Sequence, residues 1–142
     1  MDTLDEQTLA AGWVRWRHDF HRFPETGFNE QRTADRVAGL LQVLGLEVHR
    51  GIGGTGLVAN LTVGGGGGVI GLRADMDALA LTEQAPGRAH ASTLAGCMHA
   101  CGHDGHMAML LGAAQLLAAR RDFSGTVRFV FQPAEEHGRG AA

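Results

Sequence analysis

Apolar residues recur at Leu9, Trp13, Trp16 and Phe20, three or four positions apart, and this spacing predicts an amphipathic helix over 5–21. Pro24 and Gly27 interrupt it. A second stripe, Ala34, Val37, Leu40, Leu41 and Leu44, predicts another helix, with Asn29 as its N-cap and Gly45 as its stop. The period then turns from helical to extended. Segments 46–50, 56–63 and 69–74 are short, rich in β-branched residues and separated by glycines, so they read as strands. Residues 78–95 carry no periodicity, and Pro86 and Gly87 mark them as a loop. Met107, Leu110, Leu111, Ala114, Leu117 and Ala118 predict a long helix opened by Asp104. The stretch TVRFVFQ, 126–132, predicts a last strand stopped by Pro133. The order ααβββαβ points to an α/β fold, expected as an α/β sandwich around a mixed sheet.

Five consecutive glycines, 64–68, separate the second and third strands. A phosphate-cradling loop would need a following Lys-Ser or Lys-Thr and a helix opening there, and neither is present. A loose hairpin turn is the expectation.

Composition narrows the function classes. The chain has 142 residues, 44% hydrophobic and 19% charged, which suits one globular domain. A formal charge of −3 leaves no basic footprint for nucleic acid or anionic membrane. No apolar run approaches the roughly 20 residues of a membrane span. The N-terminus is acidic and polar where a signal peptide would be basic and then apolar, so cytoplasm is the expected compartment and reduced thiols the expected state.

Candidate chemistry concentrates in GCMHACGHDGHM, 96–107, which holds both cysteines and three of the eight histidines. Cys97, His99, Cys101 and His103 alternate. In an extended segment those four would span roughly 20 Å, whereas a tetrahedral zinc holds its ligands at about 2.0–2.3 Å. At most two neighbours can converge on one ion. Cys101 and His103, at the junction before the helix, are the favoured pair, since α/β proteins bind ligands at such junctions and the helix dipole favours a thiolate. His106, in the first helical turn, is a supporting donor or a cover for the helix end.

Two acid pairs add carboxylates. Asp75 and Asp77 end a buried strand on one face by the period of two. Glu135 and Glu136 follow another strand, and in extended chain they point to opposite sides. One of them can then ligate a metal while the other faces water or substrate. Their shared position at strand ends argues for one site. A thiol redox couple of Cys97 and Cys101 is the competing reading, but C-x-x-x-C lacks the C-x-x-C spacing and leaves the histidines unexplained.

Four segments in order, RHDFHRFPETGFNE (17–30), GLRADMDAL (71–79), MHACGHDGHMAMLLGAA (98–114) and FQPAEE (131–136), resemble the hippurate hydrolase and auxin-conjugate amidohydrolase branch of the aminoacylase/carboxypeptidase metallopeptidases. The resemblance implies a zinc-exopeptidase-like catalytic domain with two divalent ions: zinc, manganese, cobalt or nickel. It implies Cys101, His103 and Glu136 as ligands and Glu135 as general acid and base. Asp75 and Asp77 match acids that support the site, and Asp104 a residue beside the ligands. His99 and His106 fall inside the motif without a ligand role. The implied substrate is an N-acyl amino acid, cleaved to a carboxylic acid and a free amino acid.

Family members are roughly two to three times a domain of this size, and they add a smaller dimerisation and lid domain and further histidine ligands. Residues 1–142 are therefore expected to be the N-terminal part of the catalytic domain of a homo-oligomeric parent. The alternative is an inactive fragment with weak metal binding.

Overall fold

The computed structural model describes residues 6–85 and 87–141. Helices α1 (Glu6–Arg22) and α2 (Gln31–Val43) precede strands β1 (Glu47–Ile52), β2 (Gly56–Val63) and β3 (Val69–Asp75). Helix α3 (His103–Arg120), strand β4 (Gly125–Gln132) and a 3₁₀ turn (Glu135–His137) follow. The elements come in the order that the hydrophobic pattern predicts. Asp5, the first residue of the predicted first helix, and Pro86 in the predicted loop lie outside the described residues.

The sheet is mixed, in the order β1-β2-β4-β3. β2 pairs antiparallel with β1 and β4, and β3 runs parallel to β4. This arrangement overturns the hairpin expected at 64–68, because β2 and β3 are not neighbours. The glycines instead carry the chain around the start of β4. There the Gly66 N–H donates to Ser124 Oγ at 3.0 Å and the Thr126 N–H donates to the Gly68 carbonyl at 2.8 Å. Pairing with a strand far along the chain, and not local turn chemistry, decides the topology.

Alternation along the strands builds the core. Leu57, Ala59 and Leu61 of β2 stand opposite Phe131, Phe129 and Val127 of β4, and all six are buried. They pack with Ala34, Val37, Ala38 and Leu41 of α2 and Met107, Leu110, Leu111 and Ala114 of α3. Helix α1 lies against α3, where a Cβ on Gly112 would come within 3.1 Å of the Trp13 ring. The Trp13 indole N–H donates to Gln115 Oε1 at 2.8 Å, which removes the cost of a half-buried donor. On the opposite face of the sheet Val58, Asn60 and Val130 are half-buried and Arg128 is exposed. Among the described residues no helix is long and apolar enough to cross a membrane.

Both ends of α2 are capped, one of them unexpectedly. At the C-terminus the Gly45 N–H donates to the Gln42 carbonyl and the Leu46 N–H to that of Leu41, with Gly45 at φ +78°. This is the Schellman arrangement that a glycine permits. At the N-terminus the predicted cap, Asn29, spends its amide on Thr26 Oγ1 and the Gly27 carbonyl. Glu30 occupies the N-cap position without a side-chain cap bond. Glu25 caps from a distance, accepting the Arg32 N–H at 3.2 Å and the Thr33 N–H at 2.8 Å. A carboxylate there also suits the helix dipole.

Phe129 is fully buried in the interior strand β4. Its replacement by alanine is expected to cost about 3–5 kcal/mol, measured as a lower urea midpoint at unchanged slope. A loss below about 1 kcal/mol would mean that the core can collapse around the gap.

Candidate metal centre

Because β3 and β4 are parallel, their carboxyl ends lie side by side, and α3, which connects them, begins at the same edge. Ligands gather at such an edge in α/β proteins. β3 delivers Asp75, the segment after it Asp77, the start of α3 Cys101 and His103, and the turn after β4 Glu135 and Glu136.

The start of α3 corrects one expectation. The helix opens at His103, with Gly102 at the N-cap in the left-handed region (φ +91°) and no side-chain cap bond. Asp104, predicted to open the helix, lies in its first turn and faces α1. Its Oδ2 lies 2.9 Å from His21 Nδ1 and accepts from Arg17 Nε at 3.3 Å. It fastens α3 to α1 immediately behind His103. Burial would raise its carboxyl, but the bond to His21 and the charges of His99 and Arg17 hold it below the ordinary value.

His103 is the centre of the site. Its ring is 2% exposed, and its Nδ1 lies 2.8 Å from the Asp77 carbonyl and 3.4 Å from Asp77 Oδ1. The Asp77 carbonyl stands at hydrogen-bond distance from Nδ1, whereas the acceptors nearest Nε2 lie 3.6 Å or more away, so in the neutral ring the N–H sits on Nδ1 and Nε2 keeps its lone pair. That Nε2 looks into a ring of three carboxylate oxygens: Asp75 Oδ2 at 3.6 Å, Glu136 Oε1 at 3.7 Å and Glu135 Oε2 at 3.8 Å. Cys101, His103 and Glu136 each offer a ligand atom within 4.8 Å of the others, and so do Asp75, His103 and His106. His106 Nδ1 lies 2.7 Å from Asp75 Oδ1.

The structure brings these side chains close together, and two details differ from the sequence expectation. Asp75 and Asp77 do not act from one side; they address opposite edges of the His103 imidazole. Glu135 and Glu136 do not diverge, because the chain there is a 3₁₀ turn and not extended. Asp77 Oδ1 accepts the Glu135 N–H and Oδ2 the Glu136 N–H, both at 3.0 Å. With both amides held by one carboxylate, both glutamate side chains reach His103 Nε2.

Charge at the site is one-sided. Burial would raise the Asp77 carboxyl, yet the His103 bond and the Glu136 and Glu135 amides outweigh it and hold it below its ordinary value. Burial would lower the His103 pKa, yet bonding to Asp77 and the charge of Asp75 raise it. A hydrogen bond with Glu136, burial and the neighbouring carboxylate charges push the Cys101 thiol up. The carboxylates therefore override the helix dipole, which was expected to favour a thiolate. A cation among them would reverse that balance. Cys97 is buried, both cysteines are unpaired, and burial pushes the Cys97 thiol up as well. Neither thiol has the low pKa that a redox couple needs.

Sequence reasoning missed the residues behind the site: Glu30, Thr55, His21 and Arg17. Arg17, His21 and Glu30 lie in the segment 17–30 that carries the resemblance, but neither spacing nor periodicity there gives them a role. His99, left without a role, is 4% exposed and has no partner on either ring nitrogen among the described residues. Burial lowers its pKa to about 4, so it is neutral at pH 7.

Residues 71–142 match the model of peptidase family M20/M25/M40. The chain belongs to that family. Across 134 residues this M20 chain is 49% identical to the hippurate hydrolase of Campylobacter jejuni, covering 94% of itself and 34% of that protein. It is 45% identical to the N-acyl-L-amino acid amidohydrolase of Geobacillus stearothermophilus, over 91% of itself and 35% of the relative. The solved structure of Bacillus subtilis YXEP, a dinuclear metal-binding peptidase of family M20, superposes with a TM-score of 0.87 at 40% identity. That superposition covers 92% of this chain and 36% of the other. The chain thus spans about a third of the length of these relatives.

Proposed function

We propose that this M20 chain carries part of the metal centre of an amidohydrolase that cleaves N-acyl amino acids. Residues 1–142 would form the N-terminal part of the catalytic domain, with a dimerisation or lid domain and a C-terminal catalytic segment supplied by the rest of a cytoplasmic, homo-oligomeric parent. The observation that carries the reading is His103 Nε2, freed by Asp77 and facing three carboxylate oxygens beside the Cys101 thiol. The hippurate hydrolase and N-acyl amino acid amidohydrolase relatives support the substrate class.

The donor set fits a divalent cation, because ligands about 2.0–2.3 Å from a shared ion stand roughly 3–4 Å apart. Cys101, His103 and Glu136 would hold it, with Asp75 and His106 supporting. Sulfur and nitrogen donors suit zinc, and cobalt, nickel or manganese are accommodated. When bound, the cation supplies Lewis acidity to an amide carbonyl and lowers the pKa of water.

The chain's own residues do the rest. Asp77 holds the imidazole and the two glutamate amides in place. Glu135 Oε2 accepts a proton from the attacking water and returns it to the departing amine nitrogen as the C–N bond breaks. The products are a carboxylic acid and a free amino acid. A longer parent supplied with zinc, cobalt, nickel or manganese should release glycine from N-benzoylglycine or acetate from N-acetyl amino acids. Absence of hydrolysis with every metal and acyl group would overturn the reading.

His103 belongs to both ligand triads, and its Nε2, which faces both Asp75 and Glu136, can bond only one ion. The 142-residue chain is therefore expected to take up one divalent ion through it, read as a stoichiometry near one in a calorimetric zinc titration. Cys101→Ser should weaken that binding about tenfold or more. Unaltered affinity in the variant would remove Cys101 from the ligands.

A further inference from the structure

Ala134, Glu135 and Glu136 present three consecutive backbone N–H groups, and two buried carboxylates accept all three. Asp77 takes the second and third. Glu30 takes the first: its Oε1 accepts the Ala134 N–H at 2.8 Å across 104 residues of chain. Its Oε2 accepts the Thr55 hydroxyl at 2.6 Å. Glu30 is 0% exposed. A carboxylate so placed, with neutral donors, is expensive to keep and calls for a role.

Its hydrogen bond lands on a strained residue. Ala134 is left-handed, at φ +48° and ψ +41°, a conformation that crowds the Cβ of a non-glycine residue and persists only where its surroundings hold it. Backbone closes around it. A Cβ on Gly27 would fall 3.0 Å from Ala134 Cα, one on Gly56 would fall 2.6 Å from Pro133 Cδ, and one on Gly140 would overlap the Pro133 carbonyl. These approaches confine the turn, and Glu30 supplies the hydrogen bond that fixes its direction.

We propose that Glu30 is a positioning residue for the Glu135 and Glu136 pair. By holding Ala134 left-handed it turns both carboxylates toward His103 Nε2. Released from Glu30, Ala134 relaxes toward extended backbone, which redirects the turn that follows it and draws the two glutamate carboxylates away from His103 Nε2. The consequence for metal binding rests on the metal-centre reading above; the consequence for the turn does not.

The test uses the 142-residue chain, with cobalt(II) as the probe and amide exchange at 134–136 followed by NMR. Glu30→Ala should speed exchange at Ala134 about tenfold or more and weaken cobalt binding by a similar factor, below the melting temperature of the variant. Glu30→Gln keeps an acceptor for the Ala134 amide and should restore most of the protection. Leu61→Ala, in the core of β2, lowers the melting temperature without touching the turn and should leave the cobalt Kd of the folded protein unchanged.

If Glu30→Ala does not fold, Thr55→Val serves in its place: removing one partner of Glu30 should still loosen Ala134 and weaken cobalt binding more than Leu61→Ala does. Unchanged Ala134 exchange in a folded Glu30→Ala or Thr55→Val chain would overturn the proposal. So would a cobalt Kd that merely tracks melting temperature across all variants. A wild-type chain that binds no cobalt would sink the metal-centre reading, and exchange alone would then decide for or against Glu30.

Discussion

Glu135→Gln is expected to lower the turnover of N-acyl amino acids by about 10²–10⁴-fold in a longer chain that carries the proposed activity, with metal content preserved. The substitution keeps size and hydrogen-bonding reach and removes only the capacity to take a proton. Glu135 is the more open of the pair, with its side chain 39% exposed against 23% for Glu136, so water and substrate can reach it. Its Oε2 nevertheless stands 3.8 Å from His103 Nε2. The paired variant, Glu136→Gln, should instead lose metal and activity together. Activity assays with parallel metal analysis separate the two roles. If Glu135→Gln turned over normally, or if it lost its metal, Glu135 would not be the proton carrier.

Asp77→Asn should be the most damaging single-atom change to the folded chain, costing about 3 kcal/mol or more. Asp77 is 1% exposed, and its two oxygens accept the Glu135 and Glu136 amides. Asparagine offers one oxygen, so its amide nitrogen would face a backbone N–H. The same bonds fix the pH dependence. The Asp77 carboxyl is held below its ordinary value of 3.8, so its contribution is fully present above that pH and is lost as the pH falls through the folded-state value. The difference in urea midpoint between wild type and Asp77→Asn should therefore narrow as the pH falls below the ordinary value of 3.8. A gap independent of pH would mean that shape, and not the charge, makes Asp77 important.

What could be foreseen was whatever depends on neighbours in sequence. Strand β2 was legible to the residue, since glycines bound it and Leu57, Ala59 and Leu61 alternate between them. Cys101, His103, Asp75, Asp77, Glu135 and Glu136 were legible as one site, because each stands at the end of an apolar segment. The turn at 64–68 was misread because nothing local announces that β4 will slide between β2 and β3. Asn29 was misread as a cap because Glu25, four residues earlier, competes for the same amides and reaches two of them. Glu30 was invisible for a similar reason. A glutamate at the start of a polar helical turn is usually solvated, and its burial depends on Thr55 and Ala134, which the sequence keeps far apart.

The order of the sheet also bears on how the chain is made. β4 leaves the ribosome after β1, β2 and β3, yet it provides backbone partners for β2 on one side and for the whole of β3 on the other. Until it arrives β3 lacks its one strand partner among the described residues, and Val69 and Ile70, more than half exposed even in the four-stranded sheet, wait in the open. Non-local closure of this kind is slow, and unpaired apolar strands are prone to associate in the interval. Nascent chains halted before residue 125 should therefore depend on chaperones more than chains that already include Gly125–Gln132, which pair with both β2 and β3.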